Sequence, residues 1–329
     1  METVLSGIRP TGNLHLGNYF GAVKNFVKLQ EQYKSYFFIA DYHSLTTHPT
    51  PDDLHGNVKK VLSEYLGCGL DSEKATIYVQ SDVPEVAELY MLLNMNAYLG
   101  ELERTTSFKE KARKQPENVN AGLLTYPVLM AADIIIHKAH KVPVGKDQEQ
   151  NLEMARKFAK RFNRIYQAEL FPIPTPFNFG EELIKIPGLD GSGKMGKSEA
   201  NGIFLVDEDK EIRKKIMRAV TDAGPKEKNQ KPPEVIQNLF TLMEVLSPSE
   251  ITQQYKEAYA DCSVRYGDMK KQLAEDTVAF ITPIRERINS IYSDKAYLRK
   301  VVEEGAEKAR ESAQKTLKEV RELIGFKAF

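Results

Sequence analysis

The chain has 329 residues, 41% hydrophobic and 28% charged, which excludes a disordered or fibrous polymer and allows two globular domains. Its 46 basic and 46 acidic residues cancel, so a nucleic-acid partner must be held by local basic clusters, not by a globally positive surface. Cys68 and Cys262 stand far apart without zinc or iron–sulfur spacing and read as free thiols. METVLSGIRPTGNLHLGN has no basic stretch followed by an apolar one, and no segment approaches the roughly 18 apolar residues of a membrane span. The expectation is a cytoplasmic protein with no membrane partner.

In chain order, Thr3 to Ile8, Tyr36 to Ala40 and Thr76 to Gln80 are short apolar runs rich in β-branched and aromatic residues, and read as buried strands. Gly17 to Tyr33 and Pro51 to Leu66 have helical length and amphipathic spacing, so the chain opens β-α-β-α-β. That alternation predicts an α/β fold with a parallel sheet covered by helices. Ser81-Asp82-Val83-Pro84 starts a further helical stretch through Ala97, and a helix from Asn120 to His137 precedes the loop KVPVGKDQ. Ligands of open parallel sheets bind at the carboxyl ends of strands, where the loops after Ile8, Ala40 and Val144 would converge on a nucleotide-sized site.

Beyond about Gly202 the pattern is helical: Glu208 to Val220, Pro233 to Leu246, Ser249 to Ala260, Asp268 to Tyr292 and Asp294 to Ile324. GPKEKNQKPP, residues 224–233, is a loop between helices. The expected division is 1–190 for the α/β domain and 191–329 for a glycine-rich loop followed by an all-α domain.

GSGKMGKS, residues 191–198, matches the phosphate-binding pattern G-x-x-x-x-G-K-[ST]. A P-loop needs a helix directly after it, whereas Ser198 is followed by Glu199-Ala200-Asn201-Gly202, and Asn-Gly stops a helix in its first turn. Asp41, the best candidate for a magnesium-holding acid, lies upstream of the motif instead of downstream. The stretch is better read as a flexible loop whose Lys194 and Lys197 close over phosphates bound elsewhere. RPTGNLHLGN, between the first strand and a helix, offers such a place: Gly12 and Gly17 admit close approach, and His15 and Asn18 stand at a helix start.

His15-Leu16-Gly17-Asn18 and Lys194-Met195-Gly196-Lys197-Ser198, separated by an α/β domain, resemble the two signatures of class I aminoacyl-tRNA synthetases. SGIRPTGNLHLGNYFGAVKNFV, FFIADYHSLT, GELERTTSFKEK, AGLLTYPVLMAADII, VPVGKDQEQNLEMARKFAKRFN and GAEKARESAQKTL narrow the resemblance, in order along nearly the whole chain, to the bacterial tryptophanyl branch. Two positions depart from that pattern. Gly196 replaces the usual central serine of the second signature, which creates the P-loop match, and Arg9 stands where relatives often have glutamine.

The resemblance implies a Rossmann-like catalytic domain and an α-helical anticodon-binding domain. The implied chemistry is activation of L-tryptophan with ATP, accompanied by Mg2+, to an adenylate and pyrophosphate, then transfer to the 3′ end of tRNA(Trp). It further implies a homodimer and no DNA partner. By this resemblance Lys111, Lys194 and Lys197 are catalytic, supplying charge to the leaving pyrophosphate. Arg9, Pro10, Thr11, His15, Gly17, Asn18, Gly145, Lys146, Asp147, Ile186, Lys194, Met195, Gly196, Lys197 and Ser198 bind ATP; no residue is expected to hold a metal directly. For tryptophan the expected set is Asp133, Tyr126, Gln148, His43 and Met130, with Asp133 accepting the indole N–H. Asp133 is also the residue the sequence itself marks, since a carboxylate among Met130, Ala131, Ala132, Ile134 and Ile135 is costly to bury without a partner. A helix-capping or salt-bridged aspartate, a tyrosyl enzyme, and a non-catalytic nucleotide- or tryptophan-binding paralogue remain alternatives at this point.

Overall fold

The computed structural model describes residues 1–145, 148–177, 185–196 and 199–326. Strands β1 (Thr3–Ile8), β2 (Lys34–Ile39), β3 (Ala75–Val79), β4 (Lys141–Pro143) and β5 (Thr175–Phe177) form a parallel sheet in the order β3-β2-β1-β4-β5. Chain direction across the sheet reverses between β1 and β4, and this switch point opens a crevice at the carboxyl edge. The loop after β1 enters it from one side and the loop after β4 from the other. β4 and β5 were not visible as strands in the pattern, because three residues containing proline carry no alternation to read.

Alternation along the inner strands sorts side chains to two apolar layers. Val4, Phe37, Ile39 and Ile77 face one layer, with Phe20, Phe26, Val61 and Tyr65 from the helices that follow β1 and β2. Leu5, Tyr36, Phe38 and Tyr78 face the other, with helices Glu85–Asn94, Ala121–Ile136 and Glu149–Ile165. The predicted stretch through Ala97 stops at Asn94, and separate short helices follow at Leu99–Glu103 and Thr106–Lys114. Local chemistry sets helix ends: Thr50 caps Pro51–Gly67, with proline in its first turn, and Asn120 caps Ala121–Ile136 by accepting from the Leu123 N–H.

Both layers continue into the helices of the second half. Helices Asp209–Met217, Glu234–Leu246 and Tyr266–Ser293 add Ile212, Phe240, Leu273 and Ile281 to the first layer. Helix Lys295–Ile324 adds Ala309, Ala313, Leu317 and Val320 to the second, and is capped by Asp294 and ended by Gly325 at φ 95°. This last helix lies over β3, the terminal strand of the sheet, and shields an edge that would otherwise offer unpaired backbone groups. Contact is so close that a Cβ at Gly305 would collide with the carbonyl oxygen of Ile77. Beside it His137, stacked on Tyr36 at 4.4 Å between centroids, lies 3.0 Å from the Tyr78 hydroxyl and 3.2 Å from Ser312 Oγ. Burial pushes the His137 pKa down to about 3, so this junction is a neutral hydrogen-bonded one.

Gly305→Ala is therefore expected to destabilise the protein by about 2–3 kcal/mol, as overpacking does against backbone that cannot yield. Gly56→Ala, in helix Pro51–Gly67 where an added methyl meets open space, should stabilise by about 0.5–1 kcal/mol through helix propensity. Urea denaturation of the two variants checks both signs.

Candidate active site

Several polypeptide segments build the carboxyl edge. From β1 the chain runs through Arg9, Pro10 and Thr11, turns at Gly12 with φ 102°, and presents the Leu14 N–H to both carboxylate oxygens of buried Glu64, at 3.0 and 3.1 Å. His15 then caps the helix that begins at Leu16: its Nδ1 accepts from the Asn18 N–H at 3.2 Å, and Asn18 Oδ1 accepts from the His15 N–H at 3.1 Å. That reciprocal capping box satisfies two helix-start donors and fixes both polar residues of the first signature. The helix continues through a π turn, Tyr19–Val23, before regular α geometry resumes.

The second signature packs directly on the first. Leu16 N–H donates to Ile203 O at 2.9 Å, Leu205 N–H donates to Leu14 O at 2.9 Å, and His15 pairs with Phe204 across an antiparallel bridge. Met195 is buried between them: a Cβ at Gly17 would stand 3.4 Å from Met195 Cβ, and one at Gly202 would stand 3.1 Å from its Cγ. The glycine of the first signature thus has a packing reason, Met195 together with the His15 ring at 2.9 Å. Loop 188–196 is organised around buried Asn201, whose amide nitrogen donates to Asp190 Oδ1, Ser192 Oγ and Lys194 O and whose Oδ1 accepts from the Gly196 N–H. Ile186, also buried, accepts from the Met195 N–H at 2.9 Å, and Lys194 projects from the loop into solvent. Lys197 and Ser198 lie outside the described residues. From Glu199 to Glu208 the described chain holds two turns and one bridge residue, Phe204, and no helix, which removes the structural requirement of a P-loop.

Asp133 is buried beneath the carboxyl edge of the sheet. It is 2% exposed, on the helix Ala121–Ile136, and two elements from the sheet edge hold it. His43, in the turn after β2, places Nε2 2.9 Å from Oδ2, and Gln80, the residue after β3, donates Nε2–H to Oδ1 at 2.7 Å. Burial raises the Asp133 pKa while hydrogen bonds from His43 and Gln80 oppose it. His43 Nδ1 and Gln80 Oε1 are buried without a hydrogen-bond partner among the described residues. Tyr126 and Met130 stand seven and three residues before Asp133 and so share its helix face; the Tyr126 ring lies 4.3 Å from that of His43. The loop after β2 is pinned to this helix, because Thr46 O accepts from the amides of Asn118 and the capping Asn120.

Lys111, on helix Thr106–Lys114, completes the wall: its Nζ sits 3.3 Å from the Tyr126 ring centroid. Burial, with the Arg9 charge as a second cause, lowers its pKa to about 8. Among the described residues neither Lys111 nor Arg9 has a carboxylate partner, and the Arg9 charge lies close enough to act on Lys111. Gly145 is exposed after β4 and accepts from the Gln148 N–H at 2.9 Å, while Gln148 Oε1 accepts from Asn151. Lys146 and Asp147 lie outside the described residues.

The structure thus connects His43, Tyr126, Met130, Asp133 and Lys111 in one wall, and His15, Gly17, Met195 and Gly196 in a second assembly. Gln80, Glu64 and Asn201 were not singled out from the sequence. A polar residue closing the apolar run ATIYV was a usable signal for Gln80, as it was for Asp41 after YFFIA. Glu64 and Asn201 gave none, because their partners are backbone groups distant in sequence.

Residues 2–282 match the family described as tRNA synthetases class I (W and Y). The chain is 67% identical over 327 residues to tryptophan–tRNA ligase of Porphyromonas gingivalis, covering 99% of this chain and 100% of that protein. It is 41% identical over 329 residues to the Clostridium tetani enzyme of the same name, covering 99% and 96%. Among solved structures, tryptophanyl-tRNA synthetase of Campylobacter jejuni complexed with ADP and tryptophan aligns over 98% of this chain and 99% of that one, with TM-score 0.89 and 36% identity.

With a pKa of about 8, Lys111 loses its charge as pH rises from 7 to 9, so pyrophosphate should bind progressively more weakly over that interval. Lys111→Arg, which stays charged, should flatten the profile. Isothermal titration calorimetry with pyrophosphate checks this, and identical profiles would contradict it.

Proposed function

Because the chain belongs to the class I tRNA synthetases for tryptophan and tyrosine, we propose that it activates L-tryptophan with ATP, releasing pyrophosphate, and transfers the tryptophanyl group to the 3′ end of tRNA(Trp). It is an aminoacyl-tRNA ligase with a Rossmann-like fold. The observation that carries the amino-acid assignment is Asp133, a buried carboxylate in an apolar crevice. It is held by two side chains and has further lone pairs for a ring N–H. A site built around one buried hydrogen bond rejects analogues that cannot make it.

In the first step the substrate carboxylate attacks the α-phosphorus of ATP, the new P–O bond forms, and the bond to pyrophosphate breaks. The substrate supplies the nucleophile, so the protein's task is positioning and charge stabilisation. Arg9 and Lys111, adjacent and without carboxylate partners among the described residues, suit an anionic ligand, and Arg9 would pair with the substrate carboxylate or a phosphate through its planar fork. Lys194 and Lys197 would approach the leaving pyrophosphate from the second signature. Arg9, Pro10, Thr11 and the His15–Asn18 turn would line the nucleotide, with Gly145, Lys146, Asp147 and Ile186 on its other side. Mg2+ would arrive on ATP and share the phosphate charge. His43, Tyr126, Met130 and Gln148 would surround the amino acid.

The helices of the second half would carry tRNA recognition. Within EIRKKIMR, Arg213 pairs with Glu275, Lys214 with Glu211 and Lys215 with Asp207, so this run is largely neutralised by its own neighbours and tRNA phosphates would draw on other basic residues. Met91, Met95, Tyr98 and Leu99 form an exposed apolar stretch, from 50% to 77% accessible, which a second copy of the chain would cover in a homodimer.

Pyrophosphate exchange into ATP should proceed with tryptophan and fall by at least about a hundredfold with tyrosine, and tRNA(Trp) should be charged with tryptophan. Faster exchange with tyrosine would overturn the assignment. Lys197→Ala should slow tryptophan-dependent exchange by about two orders of magnitude or more while leaving tryptophan affinity, read by equilibrium dialysis, nearly intact.

A further inference from the structure

We infer that Gln80 is a positioning residue for amino-acid selection: with His43 it locks the Asp133 carboxylate plane, so that one oxygen lone pair is aimed at the ring N–H of the substrate. The inference rests on the tryptophan reading and adds to it the device that makes Asp133 directional.

Gln80 is fully buried and follows β3 at the carboxyl edge of the sheet. Its amide nitrogen reaches Asp133 Oδ1 at 2.7 Å, and the opposite orientation would set two acceptors against each other at that distance, so the donor must face the carboxylate. The other end of the amide, Oε1, is buried with no partner among the described residues. Leaving a buried amide oxygen unpaired is unfavourable, and an apolar side chain would fill the same place without that loss. The glutamine is explained by the one bond it does make.

That bond is half of a two-point hold. Asp133 Oδ1 is fixed from the end of β3 and Oδ2 from His43 after β2, two adjacent strands in parallel register. A carboxylate held at one oxygen can turn about its terminal torsion, which is broad and roughly two-fold; held at both, it cannot. With the Nε2–H tautomer of His43, both contacts donate and oppose the upward push of burial on the Asp133 pKa, favouring the ionised form, which only accepts hydrogen bonds, over a protonated form that would present an O–H to the substrate. Selection of an N–H therefore depends on Gln80 although Gln80 need not touch the ligand.

The test compares tryptophan with 3-(3-benzothienyl)alanine, of nearly the same shape with sulfur in place of the ring N–H, in pyrophosphate exchange by wild type and by Gln80→Met. Wild type should prefer tryptophan in kcat/KM. In Q80M that preference should fall about tenfold or more, through a higher KM for tryptophan with the KM for ATP unchanged. Equal losses for both amino acids, or no change for either, would overturn the inference. Should Q80M be unfolded by circular dichroism, Gln80→Asn, which keeps the amide but withdraws it by one methylene, carries the same comparison and the same two outcomes. Failure of the parent reading is distinguishable, because wild type itself would then show no tryptophan-dependent exchange or no preference between the two substrates.

Discussion

A carboxylate without solvent is the constraint on which the crevice depends. Asp133 is 2% exposed among apolar neighbours, and an ionised group there is stable only if fixed donors replace water. The side chains that hold it are His43 and Gln80, which in turn need β2 and β3 to end side by side and the helix Ala121–Ile136 to cross that edge at the right height. The parallel register of the sheet and the apolar layer beneath the helix supply both conditions. A slip of β2 against β3 would separate His43 from Gln80 and leave one Asp133 oxygen uncompensated.

The same helix ties the crevice to the end of the chain. One turn after Asp133, His137 contacts Tyr36, Tyr78 and Ser312, so the side chains behind the carboxylate pack against the helix Lys295–Ile324. Gly305 lets that helix lie on the backbone of β3, the strand that delivers Gln80. The helix–strand contact is therefore part of what holds the edge of the sheet, and with it the Gln80 end of the two-point hold. On the opposite layer, Arg287 of helix Tyr266–Ser293 donates to Gly67 O, at the end of the helix that carries Glu64 and so the Leu14 anchor of the first signature.

Much of the fold was legible because its signals are local. Strong β-branched and aromatic runs marked β1, β2 and β3 within two residues, and long amphipathic periods marked the helices after Gly202. β4 and β5 were not legible, because their three-residue strands depend on neighbours for their geometry. The site divides in the same way. Asp133 announced itself as a charge in an apolar helix, whereas Glu64 and Asn201, which hold the two signatures in shape, act on backbone groups brought close only by folding. Neither their partners nor the Met195 contact that accounts for Gly17 and Gly202 could be found from spacing. The resemblance to class I synthetases named the residues expected around a nucleotide and an amino acid, but not the supports behind them.

The most direct measurement is a crystal structure of this protein with tryptophan bound. The ring nitrogen is expected about 2.8–3.2 Å from an Asp133 carboxylate oxygen, within hydrogen-bond range, with the His43 and Gln80 contacts retained. An indole turned with its nitrogen away from Asp133, or a carboxylate released from Gln80 in the complex, would contradict the assignment of Asp133 as the selecting group.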